Sequence, residues 1–584
     1  MFDMVIRGGM IVDGSGKDRR RGDVAVKDGR IVALGDIGPA DAKTVIDADG
    51  LIVAPGFIDV HTHYDAQLFW DPTASPSPYH GVTTVIGGLC GFTLQPITRK
   101  SVDYIVPMLS QVEDIPLVSL QSAVPCDWDG FAEYQAQLSG RIAVNAAFAT
   151  GHSAIRHYVM GERAMTEQAS ADDLARMQDL LRAQLEAGSI GFSTSNSTTH
   201  TDHHGDAVPS RQAAHEEFVE LARVCSEYEG TIVEIQPGLD FDDKAAQLMA
   251  DMSVASERIV NWNAQFIGAL DPMERDQIQR QLAMTDYVRA RGGDLIGLSV
   301  PVSANAHIDM LRGAGFAIIP GWAKPFGLPV EERLAAFRDP AVRQTLRDAA
   351  FAPEAMKIQI VTQLMDPDYL IVEKGLSART RAVEGKSMRE VADLWGIDPF
   401  NVMFDIALED DLRTLFTFRT VGDDAETYAF RARLWRDSRM ILGGSDAGAH
   451  VETIDTFGYF TQVLDKAVRR YGVASLEEVI HYFTQTPADL VGLRDRGLLR
   501  EGWRADITIF DEKTVASLPL EMRNDLPGGA GRLYAGATGI RCVIVNGEVV
   551  IDDGVYTGAL PGEVLQRGKD TRTVPIPRYL EAAE

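Results

Sequence analysis

The chain has 584 residues, 45% of them hydrophobic, with 84 acidic against 56 basic side chains and a net charge of −28. This length and apolar content exclude a disordered chain and allow a large buried core, and the acidic balance excludes nucleic acid or an anionic membrane surface as the main partner. Four scattered Cys, none in a CxxC pair, exclude a disulfide framework and make a reducing cytoplasm the expected compartment.

The first residues lack the basic start, apolar core and cleavage site of a signal peptide. No window has the apolar length of a membrane span. The runs DMVIRGGMIVDGSG and GDVAVKDGRIVALG near the start, and ADITIFDE and IRCVIVNGEVVIDDG near the end, alternate Val and Ile with Asp-Gly, Asn-Gly and Gly-Gly breaks. That is hairpin chemistry. It predicts one small β-sandwich domain built from both termini, 1–55 plus 491–584, with the block 56–490 inserted into it.

Eight short apolar runs in that block read as buried strands: 57–60, 83–88, 142–150, 189–194, 231–236, 258–265, 294–301 and 440–447. Helical patterns alternate with most of them, as in HEEFVELARVCSEYEG, where Phe218, Leu221, Ala222 and Val224 share a face and Gly230 stops the helix. Alternating strand and helix implies parallel pairing. Eight units fit an α/β (β/α)8 TIM-like barrel, with a doubly wound sheet as the competing architecture. The stretch 303–439 is too long for one helix and reads as an insertion or lid between strands seven and eight.

Barrel strands present reactive side chains at their C-terminal ends. The first run leads into Asp59-Val60-His61-Thr62-His63. In an extended segment His61 and His63 lie on one side and can share a metal. The second ends in Gly87-Gly88-Leu89-Cys90-Gly91, and a Cys90 thiolate beside two His is a candidate zinc ligand. The segment Thr199 to Asp206, with His200, His203 and His204, follows the fourth run. It reads as a loop at the mouth with a substrate or structural role. The eighth ends in Gly443-Gly444-Ser445-Asp446. A buried Asp446 stays ionised beside a cation and can ligate it, or take a proton from water and pass it on.

Together APGFIDVHTHYD, GGLCGF, GHSAIR, GGSDAGAH and RLYAGATGIRCVIVNGEVVIDDG resemble the amidohydrolase superfamily. The resemblance is greatest to its N-acyl-D-amino-acid deacylase (D-aminoacylase) branch and extends over essentially the whole chain. It implies a zinc-dependent barrel, with one or two Zn2+ ions, that hydrolyses an amide C–N bond of a small-molecule substrate. It implies His61, His63 and Cys90 as ligands, and Asp446 as ligand and general base. His152 and Arg156 of GHSAIR, with His200, would contact substrate or its oxyanion. A homo-oligomer is compatible with this reading.

Two departures stand out. The family carries His at the ends of strands five and six, whereas this chain has Glu234 in TIVEIQ and Asn263 in IVNWN. Glu234 can replace a His at zinc; Asn263 is a poor substitute. No Lys near strand six and no Arg after Asp446 offers a grip for a substrate carboxylate. Two rivals stay open: a hydrolase of a cyclic amide, formamide, carbamate or lactone on the same site, and a non-catalytic relative.

Overall fold

The computed structural model describes residues 1–577 except 39–40, 239–240, 269, 304–305, 314 and 420. Strands from both ends of the chain share one nine-stranded sheet. Phe2–Ile11 pairs with Arg20–Lys27, Ala42–Asp47 and Ile52–Pro55. Ile52–Pro55 in turn pairs antiparallel with Ile507–Phe510, Thr508 opposite Ala54. The Asp28-Gly29 and Asn546-Gly547 dipeptides turn two of its hairpins with positive φ at both residues, the twist that matches two-residue loops. Ile6, Val24, Val53, Ile507 and Ile544 form its apolar core.

All eight apolar runs of the central block form strands: Phe57–Asp59, Val82–Gly87, Asn145–Phe148 with Thr150–Gly151, Gly191–Ser195, Ile232–Gln236, Val260–Gln265, Leu295–Ser299 and Met440–Leu442. They pair in parallel, each beside the next in chain order, as a three-stranded and a six-stranded sheet. A doubly wound sheet reverses its strand order at a switch point; this order does not reverse. Beyond the first and last strands, Thr62 and Ala447 form a parallel bridge. Helices Ala171–Glu186, His215–Val224, Asp243–Ser256 and Pro272–Arg289 bury Met177, Leu181, Leu221, Met249 and Val288 with Val233, Val260 and Leu295 of the strands.

The eighth strand is shorter than its apolar run. Gly444 at φ 86° and Asp446 at φ 59° leave the extended region, so Asp446 sits in the following turn.

The long connection holds helices and also a three-stranded antiparallel sheet of His307–Ile308, Leu415–Phe418 and Leu370–Lys374, which its sequence did not reveal. It has its own core, with Phe316, Trp322, Phe337, Phe404 and Phe416. Its last helix, Ala425–Trp435, packs Tyr428, Ala432 and Trp435 into the central core. Among the described residues no helix is long and apolar enough to cross a membrane.

Candidate metal centre

The first strand ends just before His61 and His63, and the chain stays extended enough for both rings to face one point. Thr62 between them turns away, its N–H and hydroxyl both donating to the Ile86 carbonyl at 2.9 Å. The imidazoles are buried, with centroids 5.2 Å apart in an edge-to-face arrangement. Cys90 follows the second strand in a tight turn at φ 54°. At Gly88 any side chain would run into the Ala149 backbone, so a Gly there lets the turn close. Cys90 Sγ lies 3.5 Å from His61 Nε2. One donor atom from each of His61, His63 and Cys90 falls within 4.8 Å of the others.

Asp446 comes to the same point from the last strand. Its Oδ1 is 3.0 Å from His63 Nε2 and 3.5 Å from His61 Nε2. His63 Nε2 nevertheless has no hydrogen-bond partner, because the contact lies off hydrogen-bonding alignment. Ligands of one tetrahedral zinc at about 2.1 Å face each other across edges of about 3.4 Å without bonding to one another. The 3.5 Å separations of His61 Nε2 from Cys90 Sγ and from Asp446 Oδ1 are close to those edges. Among the described residues, no Lys or Arg forms an ion pair with Asp446 or Glu234; the ion-pair neighbours of Asp446 are His61, His63 and His450. Carboxylates gathered at a buried site with no Lys or Arg to balance them are costly, so the donor set fits a bound cation.

Glu234 stands behind Cys90. Its Oε2 accepts the Cys90 N–H at 2.9 Å, while buried Oε1 has no partner. Burial pushes its carboxyl up to about 8, against the Cys90 N–H, which lowers it. Asn263 donates Nδ2 to Cys90 Sγ at 3.2 Å, its Oδ1 unpartnered. Burial pulls His61 down to about 3. Burial pulls His63 down too, but the Glu113 and Asp446 carboxylates hold it up at about 10. Asp446 is held well below the ordinary carboxylate range: burial opposes this, and His63, His450 and His61 outweigh it.

His61, His63, Cys90, Asn263 and Asp446 form the floor of a cavity of about 450 Å³, with Glu234 outside its lining. His200 lines it, with Nδ1 held by Ser195 Oγ at 2.7 Å and the ring edge-on to Phe92. The insertion supplies much of the outer wall through Ile308, Ile318, Ile360, Tyr369 and Phe418. Arg419 is the one Lys or Arg among the described lining residues.

His152 and Arg156 depart from the sequence expectation. Both are fully buried and neither lines the cavity. His152 Nε2 meets Glu217 Oε1 at 2.9 Å and Nδ1 meets Thr194 Oγ1 at 2.8 Å. Arg156 donates to both Glu217 oxygens and to the Ala164 and Glu167 carbonyls. With every donor group engaged inside the fold, the pair braces the helix His152–Met160 against His215–Val224.

One site residue was missed in the sequence. Glu113 ends the helix Val102–Glu113, is buried, and places Oε2 3.5 Å from His63 Nε2. The available signal was the Glu113-Asp114 pair at a helix C-terminus, where the dipole disfavours acids.

The amidohydrolase family profile matches residues 44–551. The chain belongs to the amidohydrolase family. It is 28% identical to the N-acyl-D-aspartate deacylase of Alcaligenes xylosoxydans xylosoxydans, over 97% of this chain and 95% of that one. It is 27% identical to the D-aminoacylase of the same organism, over 97% and 98%. Its fold is similar to a crystal structure of the N-acyl-D-glutamate deacylase from Bordetella bronchiseptica, which is complexed with zinc and a phosphonate inhibitor: TM-score 0.66, 23% identity, covering 97% of this chain and 99% of that one.

Proposed function

We propose that this amidohydrolase is a zinc-dependent deacylase of N-acyl amino acids. The observation that carries the reading is the convergence of His61, His63, Cys90 and Asp446 on one point at the cavity floor. In this reading the eight parallel strands close as a barrel at the Thr62–Ala447 bridge. The terminal strands, 1–55 with 491–584, form a β-sandwich domain against it. Four free Cys suit a cytoplasmic enzyme.

His61, His63, Cys90 and Asp446 would hold the metal, with Glu234 beside Cys90. When bound, zinc supplies a Lewis acid that polarises the acyl carbonyl and acidifies water. Asp446 Oδ1 faces the imidazoles, while Oδ2 lies 3.8 Å from His450 Nε2, on the cavity side. That leaves a carboxylate oxygen to accept the proton of the attacking water and return it to the departing nitrogen. Burial holds His200 neutral, its pKa lowered to about 3, and Ser195 fixes its ring. Its Nε2 can then hydrogen-bond the developing oxyanion without carrying charge. The apolar wall from the insertion would seat the acyl chain, and Arg419 would meet the amino-acid carboxylate.

The relatives named for D-aspartate deacylation and D-aminoacylation point to the D series. Zinc-loaded enzyme assayed on matched N-acyl-D- and N-acyl-L-amino acids, beside cyclic amides and lactones, tests this. The highest kcat/KM should fall on an N-acyl-D-amino acid. A preference for the cyclic amides or lactones would replace the deacylase reading.

A further inference from the structure

The ends of strands five and six offer Glu234 and Asn263 to the site, and Glu234 already spends one oxygen on the Cys90 N–H. A carboxylate from elsewhere in the fold reaches His63. We propose that Glu113 is a metal ligand of this enzyme, contributing its carboxylate beside His63 and Asp446. This rests on the metal-dependent reading above.

Glu113 Oε2 lies 3.5 Å from His63 Nε2. That is long for a charge-assisted hydrogen bond, which falls near 2.7–2.9 Å, but it is the separation of two groups flanking one ion. The side chain is 4% exposed and lines the cavity with the other donors. Among the described residues its carboxylate accepts no hydrogen bond and pairs with no Lys or Arg; its one ion-pair neighbour is His63. Such a group is a poor structural element, since a buried acid normally has donors around it.

Its backbone is fixed as a ligand's should be. The helix ends at Glu113 because Asp114 turns left-handed at φ 49°. The Glu113 carbonyl accepts the His450 N–H at 2.5 Å. The helix end is thus tied to the turn that carries Asp446, and the two carboxylates approach His63 together. The partial negative charge of a helix C-terminus raises the demand for a cation there.

Glu113→Gln keeps the shape and removes the charge. The probe is zinc itself, followed by competition with a chromophoric chelator and by the visible bands of the Co2+-substituted protein. Zinc affinity should fall at least about tenfold, and the cobalt bands should shift. The metal-free Glu113→Gln protein should melt no lower than metal-free wild type, while zinc should raise its melting temperature less. Glu113→Asp, which keeps the charge on a shorter arm, should lie between the two, and it carries the test should Glu113→Gln not fold.

If wild type takes up no zinc, the metal-dependent reading fails and this inference with it. If wild type binds zinc and Glu113→Gln matches it in affinity and cobalt spectrum, Glu113 is no ligand, and the metal-dependent reading stands. An equal drop in the melting temperatures of the metal-free and zinc-loaded forms would show Glu113 to be a structural partner of His63, which also overturns the proposal.

Discussion

Asp446 Oδ1 approaches His63 Nε2 to 3.0 Å, yet neither atom is aligned to hydrogen-bond the other. A half-buried acid and a buried imidazole held this close and out of line are arranged for something between them. Asp446 also keeps its second oxygen toward the cavity, which makes it the residue whose loss should separate chemistry from fold. Asp446→Asn is expected to lower kcat by about 10²- to 10⁴-fold, the usual range for a general acid–base group. Its melting curve should stay close to that of wild type. Steady-state kinetics beside calorimetry check this, and near wild-type turnover would remove Asp446 from the mechanism.

Metal uptake should depend on pH in a definite direction. Burial, reinforced by Glu234 and Glu113, pushes the Cys90 thiol well above its ordinary range. His63 sits at about 10, burial notwithstanding, because of Glu113 and Asp446. Both must lose a proton to bind a metal, so affinity should rise with pH and loading should release protons. Titration calorimetry of the metal-free protein in buffers of different ionisation enthalpy, at about pH 6 and about pH 8, measures both. An affinity that does not change between them counts against these two ligands. Chelator treatment should lower the melting temperature, since the metal binds only the folded chain.

The His152–Glu217–Arg156 cluster is expected to govern stability rather than affinity. Burial raises the Glu217 carboxyl, but His152 and Arg156 hold it below its ordinary 4.5. Burial pulls His152 below its ordinary 6.5, partly countered by Glu217. In both cases the unfolded chain binds a proton more readily than the folded one. The stabilisation is therefore present above these ordinary values and is lost progressively below them, as pH falls through the lowered values of the folded chain. Glu217→Gln should cost about 3–5 kcal/mol by leaving Arg156 buried and unpaired, and should flatten the acid limb of the stability curve. KM should change little; a large rise in KM with unchanged stability would return these residues to substrate binding.

The insertion wall should set acyl-chain preference. Phe418 stacks on Tyr369 with centroids 5.3 Å apart, and both line the cavity with Ile360. Phe418→Ala is expected to reduce kcat/KM about tenfold for a long apolar acyl group, from the contact area lost, and to leave an acetyl substrate near wild type. Equal losses on both would place the acyl chain elsewhere.

Much of this was legible because its cause is local. The His61-x-His63 spacing, the Gly-rich turn at Cys90 and the acid after the last apolar run each follow from what a strand end does to neighbouring side chains. The order of the eight strands was legible for the same reason. Glu113 was not, because it arrives from a helix end whose approach to His63 depends on the Glu113–His450 backbone bond, a tertiary fact. His152 and Arg156 were misplaced because a motif gives neighbourhood and not direction. Their side chains turn toward Glu217, on a helix the motif does not include. The small sheet in the insertion escaped because His307–Ile308 is too short to show any alternation.

The strand Ile52–Pro55, immediately before the turn into Phe57, lies against Ile507–Phe510, and the Gly56 N–H donates to the Asp506 carbonyl at 2.8 Å. The platform beneath His61 and His63 is therefore made by two segments far apart in the chain, Ile52–Pro55 and Ile507–Phe510. A nascent chain can assemble the helices and strands between, but it cannot seat His61 and His63 on a finished support until Ile507–Phe510 has been made. A chain cut short before that strand would lack the support, so activity would report that translation has passed it.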